Sequence, residues 1–417
     1  MGVASTCVEN TAAAATCSQH ILAGDCGGTN SRLQLVAFDP STNSSDILKS
    51  HTYLNEEYKS FNEILSDFLY VKTPVHQTLP SVAVLAAAGP VKDNAVLFTN
   101  NGWLISGPSI LSAFGGGPHG IKVARLINDF VGLGYGVLTV GDDETVTLNE
   151  GTPEPGAPIV CVGAGTGLGE CYLTSSNGNP DTYECFASEG GHAEFAPRTE
   201  GEIELLRWLK VKFKQKHRVS TERVVSGTGL ANVYEFFASK YPTKASPTVL
   251  SSFKKATSMK GKVVSQGADE GCEVCELSMR TFAAAYGSEV GSCGLKWIPR
   301  GGLYVAGGLT PKNIKWIQGE QSEFMKALKD KGRVSGLLEG ICIKAVMAED
   351  LGLRGAAVLG RKIVREELFR EQSNTKTKAK MGGGGRDGRR IMECVALVAA
   401  GAIIATGFAS CKGRGKR

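Results

Sequence analysis

The stretch ILAGDCGGTNSRLQLVAF, residues 21–38, decides the fold because it joins two strand-like segments across a glycine turn. Residues 21–24 are apolar, and residues 31–38 alternate between apolar and polar types, which is typical of a half-buried strand. The intervening GGTN, residues 27–30, predicts a tight connection, since glycine tolerates the backbone conformations that such turns need. The stretch therefore predicts a β-hairpin whose turn follows a buried strand.

The chemistry of this turn allows an anion-binding function. Gly27 and Gly28 let the backbone turn its N–H groups toward a negative charge, and Thr29 and Asn30 add side-chain donors. Asp25, at the end of the first strand, could position a Mg²⁺ ion through water. A purely structural hairpin turn is the alternative interpretation.

Residues 159–169, IVCVGAGTGLG, repeat this order of apolar strand and glycine turn. Gly165, Thr166 and Gly167 form the centre of the second turn. No acidic strand end follows at the distance that a dinucleotide-binding fold requires, and no Lys follows as in a GxxxxGK[ST] loop. Two glycine turns from two related α/β domains could instead hold one polyphosphate from both sides.

Strand-like and helix-like segments alternate along the chain, which predicts an α/β fold. Further strands are expected at 82–88, 121–127 and 302–308. Helices are expected at 61–70, 202–213, 226–238 and 356–369. Residues 241–270 are polar and irregular, and predict an insertion or a loop-helix surface element.

Several polar residues lie where a strand or a glycine turn would place them in a cleft. Asn128 and Asp129 close an apolar strand, where Asp129 could act as a general base or could merely cap the next helix. Glu189 and His192, in SEGGH, and Glu222, before SGTGL, could pair with the hydroxyls of a buried polyhydroxyl ligand. A metal role for His192 would need clustered thiols nearby, and none follow. Taken alone, Glu222 could be a solvated surface residue.

Net charge and cysteine content exclude two classes of protein. The formal charge is +5, but residues from Lys376 onward carry ten basic and two acidic residues, a local +8. The rest of the chain holds 36 basic and 39 acidic residues, so the body gives no support for nucleic-acid binding. Twelve Cys without framework spacing, including the lone Cys272–Cys275 pair, predict reduced thiols rather than a secreted disulfide scaffold.

Both ends of the chain differ from the body. Residues 1–19 predict a disordered extension, although MGVAST also fits an N-myristoylation pattern. Residues 374–391 form a basic glycine-rich linker, and 392–411 contain an uncharged run of 18 residues from Cys394, followed by the basic tail 412–417. This run is just long enough for a membrane span and predicts a C-terminal tail-anchor helix. The protein would then face the cytosol on an organelle outer membrane, with a soluble cytoplasmic protein as the alternative.

Taken together, the motifs resemble the bacterial-type glucokinase family of the actin-like/hexokinase superfamily of ATPases. The similarity extends from about residue 21 to residue 369. It rests on eight segments in the family's order: LAGDCGGTNSRLQL, AAAGPV, TNNGW, INDFVGLGYG, GAGTGLG, SEGGHAEFAP, ERVVSGTGL and GGLYVAGGLTP. One such segment would be weak evidence, whereas eight in order are specific.

The resemblance implies a kinase that transfers the γ-phosphoryl group of ATP to the 6-hydroxyl of glucose, giving glucose 6-phosphate and ADP. By resemblance, Asp129 is the catalytic base. The glucose-binding residues would be Asn100, Asn128, Asp129, Glu189, His192 and Glu222. The ATP-binding residues would be Asp25, Gly27, Gly28, Thr29, Asn30, Gly165, Thr166, Gly167, Gly307 and Gly308.

The family fold implies two ribonuclease-H-like domains around a central cleft. The small domain would span 20–138 and be completed by 348–373, and the large domain would span 139–347. Mg²⁺ is expected as a cofactor without a direct protein cage. The CxCGxxGC zinc motif of related repressor-type sugar kinases is absent, so we expect no structural zinc.

Some alternatives remain open after the resemblance. The chain could phosphorylate mannose, glucosamine or another hexose, or it could be a membrane-tethered glucose sensor without turnover. A homodimer is also open. Cys26, between Asp25 and Gly27, departs from the family's loop and is expected to be a harmless buried substitution.

Overall fold

The computed structural model describes residues 18–71, 79–98, 102–117, 119–179, 182–257 and 259–382. The strands are β1 Gln19–Cys26, β2 Asn30–Asp39, β3 Ser44–Leu54, β4 Val82–Ala87, β5 Ala95–Leu97, β6 Leu104–Ser106, β7 Val123–Asn128, β8 Thr145–Asn149, β9 Ile159–Ala164, β10 Leu168–Thr174, β11 Glu184–Ser188, β12 Gly302–Ala306 and β13 Ile343–Val346.

The helices are α1 Phe61–Ser66, α2 Gly107–Phe114, α3 Asp129–Val137, α4 Glu200–Lys212, α5 Gly227–Lys240, α6 Pro247–Lys255, α7 Lys260–Asp269, α8 Glu273–Trp297, α9 Leu309–Lys312, α10 Ile314–Ile317, α11 Glu323–Lys329, α12 Gly336–Glu339 and α13 Leu351–Gly382. A π-helical turn, Asp67–Val71, extends α1. Short 3₁₀ helices at Gly190–His192 and Thr221–Arg223 lie in the glycine-rich segments after β11 and before α5.

Two sheets share one strand arrangement. The first has the order β3-β2-β1-β4-β7, and the second has β11-β10-β9-β12-β13, with β8 added at its edge. In each sheet, the first three strands in this order are antiparallel to their neighbours. The fourth strand is parallel to the third, and the fifth is parallel to the fourth. The two predicted strand-and-glycine-turn segments are therefore equivalent hairpins, β1–β2 and β9–β10.

Each sheet has its own apolar core, and helices cover it. Leu22, Leu33 and Leu85 belong to the first cluster, which α1 and α2 help to enclose. Val160, Leu303 and Tyr286 belong to a second and larger cluster under α4, α5 and α8. The predicted α/β layering is confirmed.

Helix α3 lies against both sheets because its glycines permit close approach. It contacts β4 and β7 of the first sheet and β9, β10 and β11 of the second. A Cβ on Gly136 would lie 2.2 Å from the carbonyl oxygen of Leu351, and one on Gly132 would lie 2.7 Å from the Cβ of Ala86. The start of α3 is thereby fixed between the two sheets and the start of α13.

Residues 241–270 contain the regular helices α6 and α7, which fits the loop-helix surface element that was one of the two expectations for this segment. Ser246 caps α6, and Val249 and Phe253 are buried at helical spacing. The polar composition of the segment reflects the exposed faces of those helices. Cys272 occupies the N-cap position of α8 without a side-chain capping bond, and Cys275 is buried in the large core, in agreement with a structural role for this pair.

The two ends of the chain lie largely outside this description. The chain divides into two compact units after Arg361, and the described part of the second unit continues α13 to Gly382. No helix among the described residues has both the length and the apolar character that a membrane crossing needs. The predicted tail-anchor segment, 392–411, lies outside the described residues and stays a prediction.

Candidate active site

The two glycine hairpins place equivalent turns at the ends of β1 and β9. In the first turn the Gly27 N–H donates to the Asn30 carbonyl at 2.8 Å, and in the second the Gly165 N–H donates to the Gly167 carbonyl at 2.8 Å. The side chain of Asn55, which is almost fully buried, donates to the Gly27 carbonyl at 2.8 Å. Asn55 therefore fixes the shape of the first turn, although no sequence motif pointed to it.

A cavity of about 290 Å³ opens beside the first hairpin and collects several of the predicted residues. Asp25, Asp129, Gly307 and Gly308 all line it. Additional lining residues were not predicted: Arg32, Phe130, Leu133, Lys312, Ala348, Glu349, Leu351 and Gly352. The cavity therefore brings together Asp25, which precedes the first turn, Asp129, which is the expected base, and the glycine turn after β12.

Asp25 is held between a cation and a glycine. Its Oδ2 lies 3.7 Å from Nε of Arg32, which faces it across the hairpin. A Cβ on Gly352 would lie 3.0 Å from the Asp25 carboxyl carbon, so glycine leaves room for the carboxylate. Burial raises the pKa of Asp25, and the charge of Arg32 opposes that shift.

Asp129 and Asn128 occupy the junction of β7 and α3. Asn128 is the N-cap of α3, and its Oδ1 accepts from the Phe130 N–H at 2.9 Å. Asp129 is the first helical residue, and its Oδ1 accepts from the same N–H at 2.9 Å. Asn128, rather than Asp129, is therefore the cap of α3. The bond from the Phe130 N–H orients the Asp129 carboxylate at the wall of the cavity.

The surroundings of Asp129 raise the pKa of its carboxyl group. Burial raises the pKa of Asp129 to about 6, and the negative charges of Asp25 and Glu189 raise it further, while the Phe130 N–H opposes the rise. A carboxyl group with this pKa is ionised at neutral pH and is a stronger base than an ordinary aspartate. Perturbed carboxyl groups of this kind are concentrated at functional sites.

Three of the residues predicted to bind sugar form one contact group beside the second hairpin. His192 Nε2 lies 3.8 Å from Glu189 Oε2, and His192 Nδ1 lies 4.0 Å from Glu222 Oε1. Glu222 Oε2 accepts from the Leu168 N–H at 2.9 Å, at the point where β10 begins. Glu222 therefore links the expected sugar residues to the second glycine turn.

The turn after β12 packs directly against the second hairpin. Gly307 has a φ of +82°. A Cβ there would lie 2.5 Å from the Ala164 carbonyl oxygen. Both constraints exclude larger residues. The buried Tyr286 hydroxyl accepts from the Ala164 N–H at 3.2 Å and lies 3.4 Å from the Thr310 hydroxyl. This network holds the ends of β9 and β12 in a fixed relation.

A buried acidic group lies beneath the SEGGH turn. Glu170 is 5% exposed, its Oε1 has no hydrogen-bond partner among the described residues, and its Oε2 would be 1.9 Å from a Cβ on Gly190. Polar atoms of Glu170, Glu289 and Cys293 lie within 4.8 Å of one another. Burial and the nearby Glu289 charge raise the pKa of Glu170, which favours its protonated form.

Sequence reasoning missed Arg32 and Lys312, and one of them could have been found. The strand register pairs Cys26 with Ser31 and Asp25 with Arg32 around the four-residue turn 27–30, so the quoted stretch already contained the pair. Lys312 enters the cavity from α9 and carries no local signal. Asn100, predicted to lie at the sugar pocket, is outside the described residues.

Comparisons with known proteins agree on one family. The family model described as Glucokinase matches residues 22–363. A glucokinase of Synechocystis sp. is 38% identical over 354 residues, covering 81% of this chain and 97% of the relative. A glucokinase of Nostoc sp. is 36% identical over 354 residues, covering 82% and 99%.

Solved structures show the same fold. A glucokinase from an Antarctic psychrotroph has a TM-score of 0.68 at 28% identity, covering 82% of this chain and 99% of that one. A ROK family glucokinase from Streptomyces griseus, solved with glucose and AMPPNP, has a TM-score of 0.53 at 19% identity, covering 82% and 99%. The chain therefore belongs to the glucokinase family, ATP-dependent sugar kinases that phosphorylate glucose.

Proposed function

We propose that this chain transfers the γ-phosphoryl group of ATP to the 6-hydroxyl of glucose with Asp129 as the general base. Asp129 would accept the hydroxyl proton as the oxygen attacks the γ-phosphorus, and ADP would leave with the bridging oxygen. The observation that carries this proposal is the environment of Asp129, which lies in the cavity with Asp25 and Gly307 and has a raised pKa of about 6.

The sugar would be held by Asn128, Glu189, His192 and Glu222, with Asn100 as a further predicted contact. The mutual distances of 3.8 and 4.0 Å among Glu189, His192 and Glu222 support a single binding group. The carboxylate oxygens of Glu189, the Oε1 of Glu222 and the imidazole of His192 can pair with sugar hydroxyls, which a buried polyol requires. Selectivity for glucose over mannose or glucosamine would follow from the positions of these acceptors and donors.

The nucleotide would lie between the two glycine hairpins. Gly27, Gly28, Thr29 and Asn30 would bind phosphate from one side and Gly165, Thr166 and Gly167 from the other, with Gly307 and Gly308 beside the adenosine. Turns with exposed backbone N–H groups suit phosphate oxygens. Their equivalent places in two sheets of the same strand order support this arrangement, and with it the assignment of both halves to ribonuclease-H-like domains.

Asp25 is the residue that we propose would hold Mg²⁺ through water. Mg²⁺ prefers one or two carboxylates together with substrate phosphates rather than an all-protein cage, and Asp25 at the wall of the cavity could supply one of them. When bound, the ion would neutralise part of the phosphate charge. The pairing of Asp25 with Arg32 at 3.7 Å leaves the carboxylate near the cavity without burying it completely.

The deciding experiment is ATP-dependent glucose 6-phosphate formation by the full chain in a coupled assay. Wild-type turnover that falls by several orders of magnitude in Asp129→Ala, with glucose binding retained, supports both the reaction and the base. A mutant within tenfold of wild type rules out Asp129 as the base. Glucose binding without turnover in the wild type would favour the sensor, and turnover only with another hexose would change the substrate.

The tail anchor is a separate proposal drawn from composition. Residues 394–411 form an uncharged run of 18 residues flanked by basic residues, which is long enough to span a bilayer. Deleting residues 394–417 should move the protein from the membrane fraction to the soluble fraction. Unchanged partitioning between the two fractions would contradict anchoring.

A further inference from the structure

Two cations line the catalytic cavity, and both contact one acidic residue. Lys312 Nζ lies 3.3 Å from Glu349 Oε1, and Arg32 Nη1 donates to the Glu349 main-chain carbonyl at 3.3 Å. Arg32 also lies 3.7 Å from Asp25 through its Nε. Together with Asp129, all of these residues line the same cavity.

We propose that Lys312 and Arg32 bind the nucleotide's polyphosphate and that the Glu349 side chain occupies the phosphate position until the nucleotide arrives. This inference rests on the proposed kinase function and adds residues that neither the glycine turns nor the predicted sugar group includes. Lys312 would leave its ion pair with Glu349 and bind the nucleotide's phosphates instead.

The charge balance of the cavity supports the exchange. Its acidic side chains are Asp25, Asp129 and Glu349, and among its described lining residues the cations are Arg32 and Lys312. A nucleotide polyphosphate adds several negative charges to this acidic surface, and a single bound Mg²⁺ offsets only two of them. Phosphate binding here therefore needs protein cations, and these two are in place.

The ion pair between Lys312 and Glu349 is weak enough for a phosphate to displace it. The side chains of Lys312 and Glu349 are 63% and 56% exposed, and exposed ion pairs contribute about 0–1 kcal/mol. Hydrogen bonds from a charged donor to a phosphate are stronger, and a flexible lysine can follow its ligand without backbone change. Releasing Glu349 would cost little compared with the gain from the phosphate.

The position of Lys312 matches the predicted nucleotide turn. Its Nζ lies 3.8 Å from the point that a Cβ on Gly308 would occupy, so the ammonium group is close to the glycine pair after β12. Arg32 reaches the cavity from β2, on the opposite sheet. The two cations thus approach one ligand from the two equivalent halves.

The test compares substitutions whose effects should have opposite signs in the full-length protein. Lys312→Met should raise the KM for ATP about tenfold, since a charge-assisted hydrogen bond corresponds to roughly that factor, and leave the KM for glucose unchanged. Glu349→Gln should lower the KM for ATP about two- to threefold, because the competing carboxylate charge is removed. Lys312→Arg should restore the KM to within about threefold of wild type.

A matched control and a second readout separate this proposal from a structural effect. Lys315, on α10, pairs with Asp269 on an exposed surface, and Lys315→Met should change neither KM. By calorimetry, Lys312→Met should weaken ADP binding but not adenosine binding, since only ADP carries phosphates. That measurement does not need turnover, so it remains decisive if the proposed kinase reaction fails.

The results that overturn the proposal are equally specific. Unchanged ADP affinity in Lys312→Met shows that the lysine does not bind phosphate. A KM for ATP that is unchanged or raised in Glu349→Gln shows that the carboxylate does not compete with the nucleotide. Equal losses of ADP and adenosine binding would assign Lys312 to packing of the turn instead.

Discussion

Replacing Asp129 by Asn should abolish activity and stabilise the protein at neutral pH. The folded protein holds the Asp129 carboxylate in a buried site near Asp25 and Glu189, where its charge is unfavourable. Asn keeps an oxygen that can accept from the Phe130 N–H, as the aspartate does at 2.9 Å. The substitution therefore removes the charge and retains the capping bond.

The magnitude follows from the pKa of Asp129, which rises from 3.8 to about 6 in the folded protein. A group with a raised folded pKa contributes stability below its unfolded pKa and loses that contribution as pH rises through the folded pKa. Above pH 6 the ionised Asp129 thus costs about 3 kcal/mol of folding free energy, at about 1.4 kcal/mol per pH unit. The hydrogen bonds from the Phe130 and Asp129 N–H groups at the helix start lower the pKa, and their effect is already included in this difference.

Thermal unfolding without ligands measures this difference. At pH 7.5 we expect Asp129→Asn to raise the Tm by about 3–4 °C, since unfolding entropy is about 2 cal/mol/K per residue in a folded body of this size. At pH 4.5 the wild-type carboxyl is mostly protonated when folded, so the difference should shrink to about a third. The Tm difference between Asp129→Asn and wild type should change mainly between pH 3.8 and about 6.

Activity gives the second half of this prediction. Loss of a positioned general base typically removes a factor of 10²–10⁴ in rate, so turnover should fall at least that far in Asp129→Asn. The wild-type kcat/KM for glucose should fall about tenfold per pH unit below pH 6, since this ratio reports the pKa of the free enzyme. Asp46→Asn, at an exposed strand position, is the control and should change neither the Tm nor the rate of turnover. A Tm at or below wild type at pH 7.5 would refute the electrostatic reasoning.

Substitutions at three further positions test the surroundings of the site. Gly307→Ala forces a Cβ to within 2.5 Å of the Ala164 carbonyl oxygen, so we expect a lower denaturation midpoint and a raised KM for ATP; wild-type values of both would contradict the close packing. Glu222→Ala removes the acceptor of the Leu168 N–H and should raise the KM for glucose and for ATP, whereas Glu222→Gln should spare the latter. Glu170→Gln mimics a protonated carboxyl and should keep the KM for glucose within about twofold, whereas Glu170→Ala should raise it by leaving a cavity under the SEGGH turn. Equal effects of the Gln and Ala variants at either glutamate would contradict these roles.

Local patterns predicted the hairpins because the chemistry of a turn is contained within a few residues. The glycine pair after Asp25 and the glycine turn after β9 identified both equivalent turns. The end of an apolar strand located Asp129. These features depend on backbone conformation and strand alternation, which neighbouring residues specify.

Contacts between distant segments could not be predicted in the same way. Arg32 meets the Glu349 carbonyl across 317 residues of sequence, and Glu222 meets the Leu168 N–H across 54. No periodicity or spacing links such pairs, because each depends on how two separately formed elements pack. The bounds of the helices in 241–270 were not predicted for a related reason, since their buried face consists of few residues.

The position of Asp129 at the start of α3 is compatible with its proposed role as base. Burial and the carboxylates of Asp25 and Glu189 raise the pKa of Asp129, and the hydrogen bond from the Phe130 N–H at the helix start lowers it. An exposed aspartate would ionise readily but would have about a hundredfold lower proton affinity. A buried one without the N–H would have a still higher pKa and would be less ionised at neutral pH. A value of about 6 leaves the carboxylate ionised and more basic than an ordinary aspartate, which is the compromise that the proposed general base requires. If Asp129 is the base, the bond from the Phe130 N–H serves that role by lowering the pKa of a buried carboxyl group.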